Sequence, residues 1–220
     1  MGYEPVFGGT SLALPGNADT FWPRVVRSGE GYTALDPPRP PTLTRADAFP
    51  EGAYHTGRLG TGLVSSARDY ARLMTVLMPG NAGVEPVSGI RVLSPASVGE
   101  ITRPQLSPDI RCDSRNVMAS GVTPIVLPAY IQSAHMDPEG SFGLGCGVQG
   151  ADRVLMDGRR GRSKGSVYWY GAANSEVWID GEEEVVVFVN GNFYPWNDEK
   201  WVEFVAGVEG IIYGGLREGG

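Results

Sequence analysis

The chain has 220 residues, 41% of them apolar, which is enough for one domain with a true core and too apolar for wholesale disorder. A formal net charge of −7 argues against nucleic-acid binding, which normally rests on a basic stripe. No run of 18 apolar residues and no charged-then-apolar leader is present, so neither a membrane span nor a secretory signal is expected and a cytoplasmic location is the default.

Residues 1–56 read as an irregular connector. The stretch Asp36-Pro37-Pro38-Arg39-Pro40-Pro41 excludes helix and central strand. Residues 57–140 read as a helical and loop-rich region. A helix is expected after Ser66, with Asp69 three residues on in the acidic place of a capping box. Leu63, Ala67, Tyr70, Leu73, Met74 and Leu77 give it one apolar face, and Pro79-Gly80-Asn81 ends it. A shorter helix follows, with Ser94 as N-cap and Pro95 at its first position. Residues 104–140 return to loop.

Residues 141–220 carry strands and a closing helix. Ser141 to Val148 reads as one short strand whose glycines allow a close neighbour. Three further strands are expected at about 166–171, 175–180 and 184–190, the last two joined by Asp180-Gly181-Glu182-Glu183. Val185 to Val189 is continuously apolar, which predicts burial on both faces. From Asp198 to Tyr213, Trp201, Phe204, Val205, Val208, Ile211 and Ile212 recur at helical intervals and predict an amphipathic cover for the sheet. The class is therefore α+β: an antiparallel sheet of three to four strands under a C-terminal helix, plus a loop-rich helical region.

Few residues offer independent chemistry. Cys112 and Cys146 match no metal or redox spacing and read as buried or idle thiols. His55 and His135 have no partners at metal-ligand spacing, so neither a metal nor another cofactor is expected. Gly161-Arg162-Ser163-Lys164-Gly165 fits the G-x-S-x-G pattern, but charged loop precedes Ser163 and strand residues follow, the reverse of a nucleophile elbow. The run Arg159-Arg160-Gly161-Arg162 reads as a solvated loop. Trp169-Tyr170-Gly171, on the residues alone, is an ordinary strand end with aromatic core residues before a turn.

Motif order adds a further reading. Gly60-Thr61-Gly62-Leu63-Val64-Ser65-Ser66-Ala67-Arg68-Asp69-Tyr70, Arg91-Val92-Leu93-Ser94 and Phe142-Gly143-Leu144-Gly145 fall in the order and spacing of three segments of one family. Over about residues 57–214 the chain resembles the C-terminal half of the serine β-lactamase and penicillin-binding-protein superfamily, closest to its esterase and transesterase branch. Asp19-Thr20-Phe21-Trp22-Pro23 is similar to a further element of that family. The resemblance places Trp169-Tyr170-Gly171 on the third active-site motif, Lys-Thr-Gly in β-lactamases. It implies that the Ala172 backbone N–H is an oxyanion donor, that Gly171 keeps the strand edge open to the reacting carbonyl, and that Trp169, Tyr170 and Asn174 face substrate. Replacing Lys-Thr by Trp-Tyr removes the cation that would fix a substrate carboxylate.

The family nucleophile and base, Ser-x-x-Lys, and its Tyr-x-Asn are absent from the sequence. The resemblance thus implies the C-terminal portion of a serine hydrolase or acyltransferase, inactive alone. In the complete protein it would act on an ester, thioester or amide through an acyl-serine. Its implied partners are a small-molecule acyl substrate and a missing N-terminal half. The alternative is a non-catalytic ligand-binding module that kept the fold and lost the chemistry.

Overall fold

A computed structural model describes residues 25–34, 66–107, 137, 139–155, 157–171, 174–191, 193–194 and 198–218. The larger of its two sheets is antiparallel throughout and has five strands, in the order β3 (Ser141–Phe142), β4 (Gly147–Val148), β5 (Val167–Gly171), β6 (Ser175–Asp180) and β7 (Val185–Asn190). The smaller joins the hairpin of β1 (Val25–Ser28) and β2 (Gly31–Ala34) to β8 (Phe193–Tyr194), which runs parallel to β1. The lead-in expected to be irregular therefore contains a hairpin. Gly29, at φ 59°, supplies the left-handed turn residue, and the stabilising partner comes from the far end of the chain.

Strand alternation sorts the large sheet into two cores. On one face Val148, Val167 and Ile179 pack with Cys146 and Met78, backed by Met74, Leu77 and Ile101. Helix α1 (Ala67–Met74) lies on this side, and its Tyr70 ring meets Phe188 at 4.9 Å. On the other face Trp178 packs with Phe193, Trp201 and Val205, bordered by Tyr168, Val187 and Ile212.

The helix starts follow their caps. Ser66 Oγ accepts the Asp69 N–H at 3.1 Å and donates to Asp69 Oδ2 at 2.9 Å. Ser94 Oγ accepts the Ser97 N–H at 3.0 Å and opens α2 (Pro95–Thr102) with Pro95 in the first turn. Asp198 Oδ1 accepts the Lys200 N–H at 3.1 Å at the start of α3 (Glu199–Glu218), while Oδ2 pairs with Arg27 of β1. α3 runs through Gly214 and Gly215 to Glu218, beyond the end at Tyr213 that its pattern predicts.

Two further sequence expectations are corrected. Ser141 to Val148 is a hairpin of two short strands, because Gly143 N–H bonds the Cys146 carbonyl at 2.9 Å and Gly145 turns the chain at φ 90°. This hairpin seals the end of α2: the Ile101 carbonyl accepts the Leu144 N–H at 2.9 Å, and Phe142 O accepts the Gln105 N–H at 2.7 Å. A side chain on Gly143 would collide with that Ile101 carbonyl. The second correction concerns β7. It is half-buried along Val185–Val189, because it is last in the strand order and its outer edge has no partner among the described residues.

Candidate active site

Strand β5 gathers three of the five expected site residues at its C-terminal end. Trp169 and Tyr170 stack with ring centroids 5.3 Å apart and planes 6° apart. Tyr170 stacks in turn on Tyr168 at 6.3 Å, and Phe142 meets Trp169 edge-on at 5.7 Å. Consecutive residues of a flat strand point to opposite sides, so the Trp169–Tyr170 stack marks strong twist where β5 ends. The result is a half-buried aromatic wall of four rings.

Gly171 sits opposite Ser175 in the register, and a Cβ on it would lie 2.5 Å from Ser175 Oγ. The glycine thus has a local packing reason that the sequence does not disclose. Asn174 turns the chain at φ 57° and is 1% exposed. Its N–H bonds the Gly171 carbonyl at 3.1 Å, its side-chain amide donates to Phe193 O at 3.0 Å, and its own carbonyl accepts the Gly191 N–H at 2.6 Å. Asn174 therefore fastens the turn to β8. Ala172, His55, His135, Cys112 and the Gly60–Ser65 part of the matched segment lie outside the described residues.

Behind the wall, on the face covered by α3, is a buried charged cluster that the sequence reading missed. The Arg162 guanidinium lies 4.7 Å from the centre of the Tyr168 ring and 5.4 Å from that of Trp178. Glu209 of α3, fully buried, accepts the Arg162 backbone N–H at 2.9 Å and faces Arg162 Nε at 3.6 Å and Arg153 Nε at 3.4 Å. Arg162 is 3% exposed, so the reading of its loop as solvated fails at this residue. A signal existed: Glu209 falls at helical spacing between Val205 and Ile212, on the inward stripe. Ser163 is also fully buried, its N–H on Asp180 Oδ2 and its Oγ accepting from Arg160, so no nucleophile stands there.

The wall's electrostatics follow from burial. Desolvation, then the nearby Tyr168 and Glu176, push the Tyr170 hydroxyl up to about 12, which keeps it a neutral phenol near pH 7. Glu176, opposite Tyr170 in the register and 5% exposed, has its carboxyl raised chiefly by burial, against the pull of Arg162 and Arg153. A carboxyl raised in the folded state binds protons more readily there than when unfolded. The cost of charging it therefore sets in as pH rises past the unfolded value of about 4.3 and is complete once pH exceeds the raised folded value. Glu176→Gln is expected to raise the urea midpoint at pH 7.5, with the gain vanishing below about pH 4. Urea titrations at the two pH values check this.

A separate cleft of about 470 Å³ lies between α1 and the β6–β7 hairpin, lined by Arg72, Thr75, Asn81, Glu184 and Val186 among others. Its cation is committed: Arg72 holds Glu85 through two bonds of 2.8 and 2.5 Å. Those bonds, with the N–H groups of Val87 and Ser88, keep the Glu85 carboxyl well below the usual carboxylate range. None of the cleft's lining residues belongs to the β5 wall. Among the described residues, no group of three His, Cys, Asp or Glu side chains is placed to hold a metal, and no helix is long and apolar enough to cross a membrane.

Over 90% of its length the chain superposes on unliganded simvastatin synthase (LovD) from Aspergillus terreus, a β-lactamase-fold acyltransferase, with a TM-score of 0.64 and 19% identity. The fold is β-lactamase-like. The LovD6 mutant of the same synthase matches 93% of the chain with a TM-score of 0.60 and 21% identity, and the LovD9 mutant 72% with 0.55 and 22%. The chain spans 43%, 44% and 37% of these three structures respectively, less than half of each. No protein-family model and no curated protein matches it. The β-lactamase-like resemblance carried by Ser66–Tyr70, Arg91–Ser94 and Phe142–Gly145 thus agrees with the shape of the whole.

Proposed function

We propose that this chain supplies the C-terminal part of a β-lactamase-like serine hydrolase or acyltransferase, which acts on an ester, thioester or amide through an acyl-serine. The observation that carries this reading is the end of β5. A strand closes on Gly171 beside an aromatic wall, in a fold shared with an acyltransferase of which the chain spans 43%. In this reading the Ala172 N–H donates to the oxyanion that forms when a serine oxygen attacks the acyl carbon. Trp169 and Tyr170 hold the apolar part of the substrate. The arginines nearest the wall, Arg153 and Arg162, share the carboxylate of Glu209 behind the wall. Asn174 contributes by anchoring the turn that carries Ala172. The serine, its lysine base and the tyrosine of the proton relay come from outside these 220 residues, and the open edge of β7 is where further strands would join.

The test is to extend the protein with the in-frame residues encoded upstream and to measure acylation by p-nitrophenyl butyrate. Gly171→Ala combined with Ser175→Gly removes the cross-strand clash while leaving a methyl group at the strand edge. The reading expects acylation in the extended protein and a loss of roughly 10²- to 10³-fold with this pair, the size of a lost oxyanion donor. Undiminished acylation by the pair removes the need for a bare Gly171 edge from the mechanism.

The second reading, a non-catalytic binding module, is favoured by the absence of both Ser-x-x-Lys and Tyr-x-Asn. It expects no such motifs upstream and saturable ester binding without turnover.

A further inference from the structure

The outward face of α3 carries two exposed large apolar side chains, Phe204 and Ile211. Lys200, Phe204, Gly207, Ile211, Gly214 and Glu218 follow one another at spacings of four and three residues, the phase of a coiled-coil seam. This seam points away from the sheet: Phe204 is 55% and Ile211 72% exposed, and Lys200 and Gly214 are exposed as well. Gly207 and Gly214 have no internal reason to be glycine, since an added Cβ would meet nothing within 4 Å. Gly210 differs in having a neighbour, since a Cβ there would meet the Arg159 guanidinium, the movable end of a half-exposed side chain. Glycine weakens a helix interior relative to alanine, so two unneeded glycines between two exposed large apolar side chains call for something that approaches the backbone closely.

We propose that α3 pairs with α3 of a second copy in an antiparallel, two-fold dimer. In an antiparallel seam the layers place Phe204 over the other copy's Gly214 and Ile211 over its Gly207, and they keep the two Lys200 residues at opposite ends. Each of these layers joins large to small, and the two-fold axis repeats each one. A parallel pair would set Phe204 on Phe204, glycine on glycine and Lys200 on Lys200, which leaves voids and like charges. The seam complements itself in one direction only, and that selects a second copy over an unrelated helix. A 20-residue helix is about 30 Å long, so the contact is a small one and its dissociation constant is expected in the micromolar range.

Sedimentation velocity of the full chain, from low to several hundred micromolar, tests the pairing. The expected result is a monomer–dimer equilibrium with no larger species, abolished by Ile211→Lys. Gly207→Ala with Gly214→Ala discriminates further. If the face stays bare, the added methyl groups only strengthen the helix. In the dimer they fill the spaces that Ile211 and Phe204 occupy. The double variant is therefore expected to raise the thermal midpoint of the dilute monomer and to weaken dimerisation by about tenfold or more. A chain that stays monomeric throughout, a dimer indifferent to both variants, or open-ended assembly through the β7 edge would each overturn the proposal.

Discussion

Mixed with p-nitrophenyl butyrate, the 220-residue chain alone is expected to release no burst of p-nitrophenol stoichiometric with protein. A serine nucleophile and its base act as one unit, and losing either costs roughly 10⁴- to 10⁶-fold in rate. The sequence contains neither Ser-x-x-Lys nor Tyr-x-Asn. The hydroxyl that mimics a nucleophile motif, Ser163, is sealed from solvent and bonded to Arg160. Tyr170, the tyrosine of the candidate wall, is held as a neutral phenol by burial and cannot substitute as a base near pH 7. Stopped-flow absorbance during the first turnover is the measurement. A burst with an amplitude near one per chain would show that this polypeptide carries a nucleophile of its own.

What could be read in the sequence was what local physics fixes. The caps at Ser66 and Ser94 open their helices, and the three long strands fall within a residue or so of their expected limits. Hidden were the features that depend on distant partners. Val25 and Val26 become strand only because Phe193 and Tyr194 lie beside them. Val185 to Val189 has the composition of a central strand yet occupies an edge, since composition records what a strand can bury and not which neighbour arrives. Charged residues misled most. Arg162 sits in a run that resembles solvated loop, and only the tertiary fold lays it across two aromatic rings and beneath an acidic helix residue. The aromatic pair and the glycine could be placed at a strand end from the sequence, whereas the anchoring of Asn174 to Phe193 could not.

Glu209→Ala is expected to be the most damaging single substitution for stability, at about 3–5 kcal/mol. Its carboxylate is fully buried and faces two guanidiniums, Arg162 at 3.6 Å and Arg153 at 3.4 Å. Burial already pushes the Arg153 guanidinium down from its ordinary value, Arg162 adds to that push, and Glu209 opposes both. Alanine would leave two like charges confined behind β5 with only the Glu176 carboxyl, itself disfavoured by burial, to oppose them. Stability of a domain this size is typically about 5–15 kcal/mol, so the variant would lie near the threshold of folding. The companion experiment replaces all three partners, Glu209→Leu with Arg162→Met and Arg153→Met. Apolar groups of similar volume often match or exceed a buried ion pair, so much of the loss should return. Urea unfolding followed by tryptophan fluorescence reports both, since Trp178 lies beside Arg162. A loss below about 1 kcal/mol for Glu209→Ala would mean that water reaches the cluster.

The seam between α2 and the β3–β4 hairpin makes the aromatic wall part of a longer lever. Leu144 is bound to the last turn of α2 and Gln105 is bound back to Phe142, whose ring braces Trp169. A push on the far side of α2 would therefore be felt at Trp169 through two main-chain links and one ring contact. Loosening Ile101 would slacken the brace without touching the wall itself.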